Sequence, residues 1–454
     1  MSDIEVKTMD MTSGDITGLV IRFSLPLLAG NLFQQLYNTV DSIVVGNYVG
    51  KEALAAIGST TSLINTLVGF FLGLAAGASV VISQYFGAHD IRNLSRTVHT
   101  MVAGTLILGV IFTVAGIISS PFMLHLMATP NDVFDDATVY LRIYFEGVLA
   151  LMIYNTGSGI LRAVGDSRRP LYFLVVSSLV NVILDLLFVI GFHWGIAGVA
   201  YATIISETIS AGMVLFVLIH TGACYHLTLR GLQIDSFILH KVIAIGLPAG
   251  IQQAVTSFSN VFVQAYINGF GSSCMAGWAS YGKIDQLALL PMQSISLAAT
   301  TFAGQNYGAG NIKRAKHGIT ISLGLSAVIT LVLVIPMIVF AKQLVAMFNR
   351  ENEVLYYGTF FLRVSSPFYV LCCVNQIYAG ALRGVGDAAI PMGIMIGSFV
   401  VFRQIYLFAV THLTSSFYPV SVAYPVGWVV CSFVMFLHYH RYMNKITDSR
   451  FMQE

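Results

Sequence analysis

Leu161-Arg162-Ala163-Val164-Gly165-Asp166, with Pro170 four residues further on, returns as Leu382-Arg383-Gly384-Val385-Gly386-Asp387 with Pro391. The two copies stand 221 residues apart. Working outward, Gln84-Tyr85-Phe86-Gly87-Ala88, followed by Ile91-Arg92, matches Gln305-Asn306-Tyr307-Gly308-Ala309 and Ile312-Lys313 at the same spacing, and Leu141-Arg142 matches Leu362-Arg363. Three anchors at one offset make the chain a duplication. Each glycine can end a helix in the left-handed conformation and each proline can open the next. The motif therefore predicts a tight turn between two helices, with Arg162 and Arg383 at a membrane interface.

Composition says what kind of helices these are. The 454 residues are 56% hydrophobic and 10% charged, with mean hydropathy +0.78, whereas a soluble domain carries about 25% charged residues. Apolar runs of about 20 residues recur along the chain, the length that crosses a bilayer as a helix. The expected fold is an all-α polytopic membrane protein with twelve spans, near 17–46, 55–86, 97–120, 136–161, 170–191, 195–219, 241–268, 276–303, 317–341, 355–382, 391–411 and 419–440. Loops after the even-numbered spans and the two tails carry fifteen Lys and Arg residues, against Lys51, Lys342 and Arg350 on the opposite side. Positive charge marks the cytoplasmic face, so both termini are expected there, in a plasma (inner) membrane. Six crossings restore the starting side. Spans 1–6 and 7–12 are thus two homologous six-helix bundles in parallel orientation, an arrangement used by carriers that bind substrate between halves and rock. The expected parts are an N-terminal tail (1–15), a first lobe (16–219), a cytoplasmic linker (220–240), a second lobe (241–440) and a C-terminal tail (441–454).

Several classes of function are disfavoured at this point. The start is polar and acidic with no charged-then-apolar leader, so the first span is expected to serve for insertion. The five cysteines (Cys224, Cys274, Cys372, Cys373, Cys431) lack metal-ligand spacing and read as small apolar packing residues. Neither His-Glu-x-x-His nor a nucleophile elbow occurs, so no enzyme and no cofactor is expected. The net charge of +2 says little about partners, because the charges are segregated by loop; no nucleic-acid partner is expected, and a two-lobed carrier can work as a monomer.

Against this apolar background a few polar residues stand out. Asn181 and Asp185 lie four apart in Asn181-Val-Ile-Leu-Asp185-Leu-Leu-Phe-Val-Ile190, and so share a helix face. Asp41 stands in the same predicament in span 1, and Thr203 in span 6. Charge at membrane depth is costly and marks function by default. Measured from the outer ends of their spans, Asp41, Asp185 and Thr203 fall in one layer, about 7–12 Å deep at 1.5 Å per residue. The duplication sharpens the point. At the common offset Asp41 falls on Phe262 (Val263 with a one-residue indel), Asn181 on Phe402, Asp185 on Tyr406 and Thr203 on Tyr424. The scaffold does not need these oxygens; the first half does. The plain structural alternative is a set of neutral, hydrogen-bonded acids that merely pack the first bundle. The functional reading is a site for H⁺ or for a hard cation such as Na⁺, since low dielectric and a neighbouring acid both favour holding a proton. Glu207, one turn below Thr203, either extends this site or pairs with a neighbour. Lys283 and Asp285 in span 8 and Arg403 in span 11 are expected to neutralise one another inside the second half, with any residual charge touching substrate.

The Leu-Pro openings of span 1 (Leu25-Pro26) and span 7 (Leu247-Pro248), the Gln-x-x-Gly-Ala motif after spans 2 and 8, and Leu-Arg-x-x-Gly-Asp after spans 4 and 10 resemble the multidrug and toxic compound extrusion (MATE) family over about residues 15–440. That resemblance implies a V-shaped, two-lobed transporter. Its DinF-like branch places a cation site in the N-terminal lobe, on residues that look like Asp41, Asn181, Asp185 and Thr203. It also implies roles for Tyr140 early in span 4, for Asn155 or Ser158 near the end of that span, and for a bend of span 1 at Pro26. The acids that other branches carry on spans 7 and 10 are absent, with Cys372 near the latter place. The function implied is efflux of organic, often cationic, small molecules across the lipid bilayer in exchange for H⁺ or Na⁺. The alternative is a flippase for lipid-linked saccharides. Such a protein would need a strongly cationic cavity, which the in-span basic residues Arg22, Arg142, Lys283, Arg363 and Arg403 hardly supply.

Overall fold

A computed structural model of the chain describes residues 8–451 apart from 128 and 415. The described residues are helical throughout, without strands. Span 1 runs Ile16–Val44 and continues as a wider π turn to Val49; span 2 is Lys51–Gly87, span 3 Ile91–Leu126 and span 4 Asn131–Ala163. Span 5 is Arg168–Asp185, again prolonged by a π turn, Leu186–Gly191, and span 6 is Gly195–His220. The second set comprises Ser236–Asn268, Ser272–Gly308, Ile312–Val339, Asn352–Gly384, Ala389–Leu413 and Ala423–Phe451. Among the described residues, eleven helices are long and apolar enough to cross a membrane. The twelfth, Ala423–Phe451, is diluted by His438, His440 and several tyrosines. Several helices extend a few residues beyond their apolar cores, as where Arg92 and Lys313 lie in the first turns of Ile91–Leu126 and Ile312–Val339.

The repeated motif does what its residues dictate. Gly165 and Gly386 adopt positive φ (89° and 99°). Gly165 N–H donates to the Arg162 carbonyl at 3.0 Å and Asp166 N–H to that of Leu161 at 2.9 Å; Gly386 and Asp387 repeat both bonds, each at 2.9 Å. These bonds satisfy carbonyls that the ended helix leaves open. Asp166 Oδ1 then accepts the N–H groups of Arg168 and Arg169, both at 3.1 Å, and so caps span 5.

The chain divides into two compact units at its two Leu-Pro steps. One comprises residues 1–10 with Pro26–Leu247, the other Met11–Leu25 with Pro248–Glu454. Residues 16–25 of span 1 thus group with the second unit, and residues 236–247 of span 7 with the first. In the first unit, Gly77 of span 2 meets Gly246 of span 7 so closely that a Cβ on Gly77 would stand 2.6 Å from the Gly246 Cα; small residues permit such crossings in membranes. The segment between spans 6 and 7 packs onto span 3. Tyr225 and Leu227 are buried, Asp235 pairs with Arg96 at 2.5 Å, and His99 Nε2 accepts the Thr228 N–H at 3.1 Å. In the second unit, the residues before span 1 are tied down. Met11 N–H donates to Gln305 Oε1 at 2.9 Å, and its carbonyl accepts from Asn306 Nδ2 at 3.1 Å. The Gln-x-x-Gly-Ala motif therefore holds backbone in this half.

Candidate functional site

Span 5 presents Ser178, Asn181 and Asp185 on one face, and all three are buried, Asp185 completely and Asn181 to 2% exposure. The carboxyl of Asp185 and that of Asp41 from span 1 lie against each other. Their distances from the outer helix ends agree: Asp41 to Val49 and Asp185 to Gly191 are about 12 and 9 Å along the helices. Both acids precede a π turn. Such turns redirect the side chains around them and are frequent at functional sites.

The hydrogen-bond ledger of this cluster is the telling feature. Asp41 Oδ1, both oxygens of Asp185, both polar atoms of the Asn181 amide and the Ser178 hydroxyl are buried without a donor or acceptor from elsewhere among the described residues. An unsatisfied buried polar group costs about 1–3 kcal/mol, and more when charged. Two ionised carboxylates in contact would repel as well. The arrangement is therefore incomplete with protein atoms alone, and a shared proton or a small cation would complete it.

Around the pair stands a shell that sequence reasoning only partly anticipated. Tyr140 of span 4 is within electrostatic reach of Asp41, Glu207, Tyr37 and Asp185. Tyr37, one turn before Asp41, reaches Glu207 and Asp41, and Tyr144 reaches Glu207, Tyr140 and Tyr37. Glu207 thus looks into this tyrosine shell, and among the described residues it has no ion-pair partner. Tyr37 and Tyr144 were the missed members. Their i+4 spacing from Asp41 and Tyr140 is the signal that could have found them. The remaining candidates have other contacts. The Thr203 hydroxyl is spent on the Val199 carbonyl of its own helix at 3.1 Å. The Asn155 amide likewise donates to the Leu151 carbonyl at 2.9 Å, and Ser158 is buried beside Tyr154. Pro26 lies inside span 1, where it removes a helical N–H.

In the second half the expected mutual neutralisation does not occur. Lys283 is exposed, with its ammonium 5.5 Å from the Phe348 ring. Asp285 is half-buried and accepts the hydroxyls of Tyr281, at 3.2 Å, and Tyr369. Arg403, 3% exposed, donates to Ser259 at 3.0 Å and Asn260 at 2.9 Å, and its guanidinium lies 4.5 Å from the Tyr424 ring. Each is engaged instead with neutral donors, acceptors or rings.

The MatE family model matches residues 26–187 and again 248–408, one copy in each half and each opening at a Leu-Pro proline. The chain belongs to the MATE family. It is a multi-pass membrane transporter of the multidrug and toxic compound extrusion type, in a family of transporters rather than enzymes. It is 30% identical over 440 residues, 95% of each chain, to the probable multidrug resistance protein YoeA of Bacillus subtilis. It is 31% identical over 399 residues to the probable multidrug resistance protein YpnP of the same organism, covering 88% of this chain and 89% of that one. Its fold is that of a MOP superfamily transporter from Pyrococcus furiosus, with TM-score 0.92 at 24% identity over 98% of this chain and 100% of the other. For this MATE protein the internal match also settles the register of span 1. Counted from Pro26 and Pro248, the counterpart of Asp41 is Val263, which is buried in the second half's core, while Phe262 is exposed.

Proposed function

We propose that the chain exports organic, often cationic, small molecules, taking up H⁺ or Na⁺ in exchange at the Asp41–Asp185 pair. One observation carries the reading: the Asp41 and Asp185 carboxyls lie in contact, and with Asn181 they hold buried polar atoms without a hydrogen-bond partner among the described residues. The relatives named as multidrug resistance proteins support the choice of cargo.

In the proposed cycle the outward-open form loads a cation between the two acids. Loading removes their mutual repulsion and lets span 1 repack around Pro26, with Tyr37, Tyr140 and Glu207 adjusting about the newly neutral pair. It also removes the negative charge that attracts a cationic substrate, which leaves outward. Return of the carrier releases the coupling ion inside. Exchange requires that the two ligands oppose each other through occupancy or conformation. Either ion can serve, because carboxylate and amide oxygens suit both. The excess of Lys and Arg on one side supports cytoplasmic termini in this scheme, and the carrier acts as a monomer.

The test uses proteoliposomes of known orientation loaded with ethidium, with H⁺ or Na⁺ gradients imposed at fixed membrane potential. Asp41→Asn and Asp185→Asn should each reduce gradient-driven export to the level of empty vesicles, while both proteins remain inserted and monodisperse. Wild-type rates in both variants would end the reading.

A further inference from the structure

We propose that the linker between spans 6 and 7 is a pH-dependent clasp: its turn at residues 228–231 fastens to His99 of span 3 while that imidazole is neutral, and lets go as the pH falls. His99 is 7% exposed, and both of its ring nitrogens are engaged. Nδ1 lies 2.7 Å from the Ser95 carbonyl, which can only accept, so Nδ1 carries the proton. Nε2 is left with a bare lone pair. It accepts the Thr228 N–H at 3.1 Å and has the Thr228 hydroxyl at 3.0 Å. These partners assign a neutral ring with its hydrogen on Nδ1.

A second proton has no place in this arrangement. It would sit on Nε2 and point at a backbone N–H. The Thr228 hydroxyl can turn to accept it, but the N–H cannot turn away without moving the chain. That chain is moulded closely to the ring, since a Cβ on Gly231 would stand 2.8 Å from Nε2. At this end of the bundle span 3 brings Arg92 and Arg96, the linker His226, Arg230 and Asp235, span 4 Arg162, and span 2 Tyr85. Asp235 is taken by Arg96 at 2.5 Å, and Asp90, which caps span 3, by Asn93 at 2.6 Å. His226 donates from Nε2 to the Ile219 carbonyl at 2.9 Å, a bond that both of its protonation states keep. The His99 contact is different, because a proton abolishes it.

The clasp reaches span 7. Thr100 Oγ1 accepts the Asp235 N–H at 3.1 Å. Asp235 Oδ1 in turn accepts the N–H groups of Phe237 and Ile238, at 3.0 and 3.2 Å, at the start of the helix Ser236–Asn268. Arg96, His99 and Thr100 share a face of span 3, so one face holds both the linker turn and the start of span 7. The paired positions in the second half are His317, Thr320 and Ile321, and the Thr320 hydroxyl is spent on the Lys316 carbonyl of its own helix at 3.0 Å. The scaffold therefore does not require the trio. Because the docked linker selects the neutral ring, docking is strongest at higher pH and weakens on acidification.

The test is hydrogen–deuterium exchange with mass spectrometry on the full-length protein in lipid nanodiscs. Protection factors are compared, so that the intrinsic effect of pH on exchange cancels. Amides of residues 228–235 should lose protection about tenfold between about pH 7.5 and about pH 5.5, while those of span 4 change less than about twofold. His99→Gln keeps an acceptor near the Nε2 position and does not titrate, so it should hold protection at both pH values. Gly231→Ala drives a methyl group against Nε2 and should give low protection at both. Constant protection in the wild type overturns the clasp. So does a wild-type pH response in either variant, which would move the titration to Asp235 or another group. If one variant does not insert, the other decides.

Discussion

The two halves share a backbone plan and differ in what they bury. At paired positions the first half keeps Asp41, Asn181, Asp185 and Thr203, and the second keeps Val263, Phe402, Tyr406 and Tyr424. The substitutes do ordinary structural work. Val263 is buried in the second core, the Tyr406 hydroxyl donates to the Pro419 carbonyl at 2.9 Å, and that of Tyr424 to Asn260 at 3.1 Å. In the first half, by contrast, Asp41, Asn181 and Asp185 hold buried polar atoms without hydrogen-bond partners among the described residues. A scaffold that folds well without such a cluster has no structural reason to keep it. Under the proposed function, the cluster's energetic cost is tolerated for a task performed once per molecule.

The comparison can be broken most forcefully by moving an acid across it. Val263→Asp places an unpaired carboxyl in a core that offers no partner. It should destabilise the protein by about 3–5 kcal/mol, the scale for an uncompensated buried charge, read as a large drop in melting temperature in detergent. A loss as small as that of a surface change would show that the second half can host an acid, and that the asymmetry is accidental.

The paired Gln-x-x-Gly-Ala motifs offer a sharper, smaller test. Asn306 is fully buried and donates to the carbonyls of Met11 and Phe302 at 3.1 and 2.9 Å. Its counterpart Tyr85 accepts a bond from Lys241 at 3.1 Å, in an exposed setting. Asn306→Ala should cost about 1–3 kcal/mol, and Tyr85→Phe less than about 1 kcal/mol. Equal losses in thermal melts would mean that the anchoring of residue 11 contributes nothing.

Gly165 and Gly386 separate local strain from packing. Both have positive φ, but a Cβ on Gly165 would also lie 2.2 Å from the Met9 carbonyl oxygen. Gly165→Ala should therefore lose about 1–2 kcal/mol more than the strain of positive φ alone would cost an alanine, again by melting temperature. A loss no larger than that strain would mean that the chain near Met9 moves aside without cost.

The smallest expected effect concerns the aspartates that follow these glycines. Asp387 meets His438 Nε2 at 2.6 Å, where Asp166 meets Arg169 at 3.5 Å and two backbone N–H groups. His438→Gln should cost less than about 1 kcal/mol, as partly exposed pairs do. A larger loss would show that the second half depends on this contact in a way that the first does not.

Much of this was legible in the chain because it rests on periodic or repeated features. Span boundaries followed from apolar length, with errors of several residues where helices continue through charged or polar residues. The turn at Gly165-Asp166 followed from chemistry that acts over six residues. The contrast between halves was visible because one copy serves as the control for the other. The members of the shell were harder. Tyr37 and Tyr144 looked like two more aromatics in a chain with 21 tyrosines, and only their position against Glu207 and Asp41 distinguishes them. The expectation that Lys283, Asp285 and Arg403 would pair failed because formal charge in one bundle says nothing of side-chain direction.

By itself, then, the sequence determined the helical membrane class, the duplication, its register and the identity of the odd acids. Those depend on local hydrophobicity, turn chemistry and comparison of one copy with the other. Tertiary structure alone decided that Asp41 touches Asp185, that Thr203 and Asn155 are spent on their own helices, and that tyrosines rather than a cation hold Asp285. Partner choice among buried polar groups turns on differences of about 1 Å in where helices place their side chains, and hydrogen bonds lose their strength over that distance.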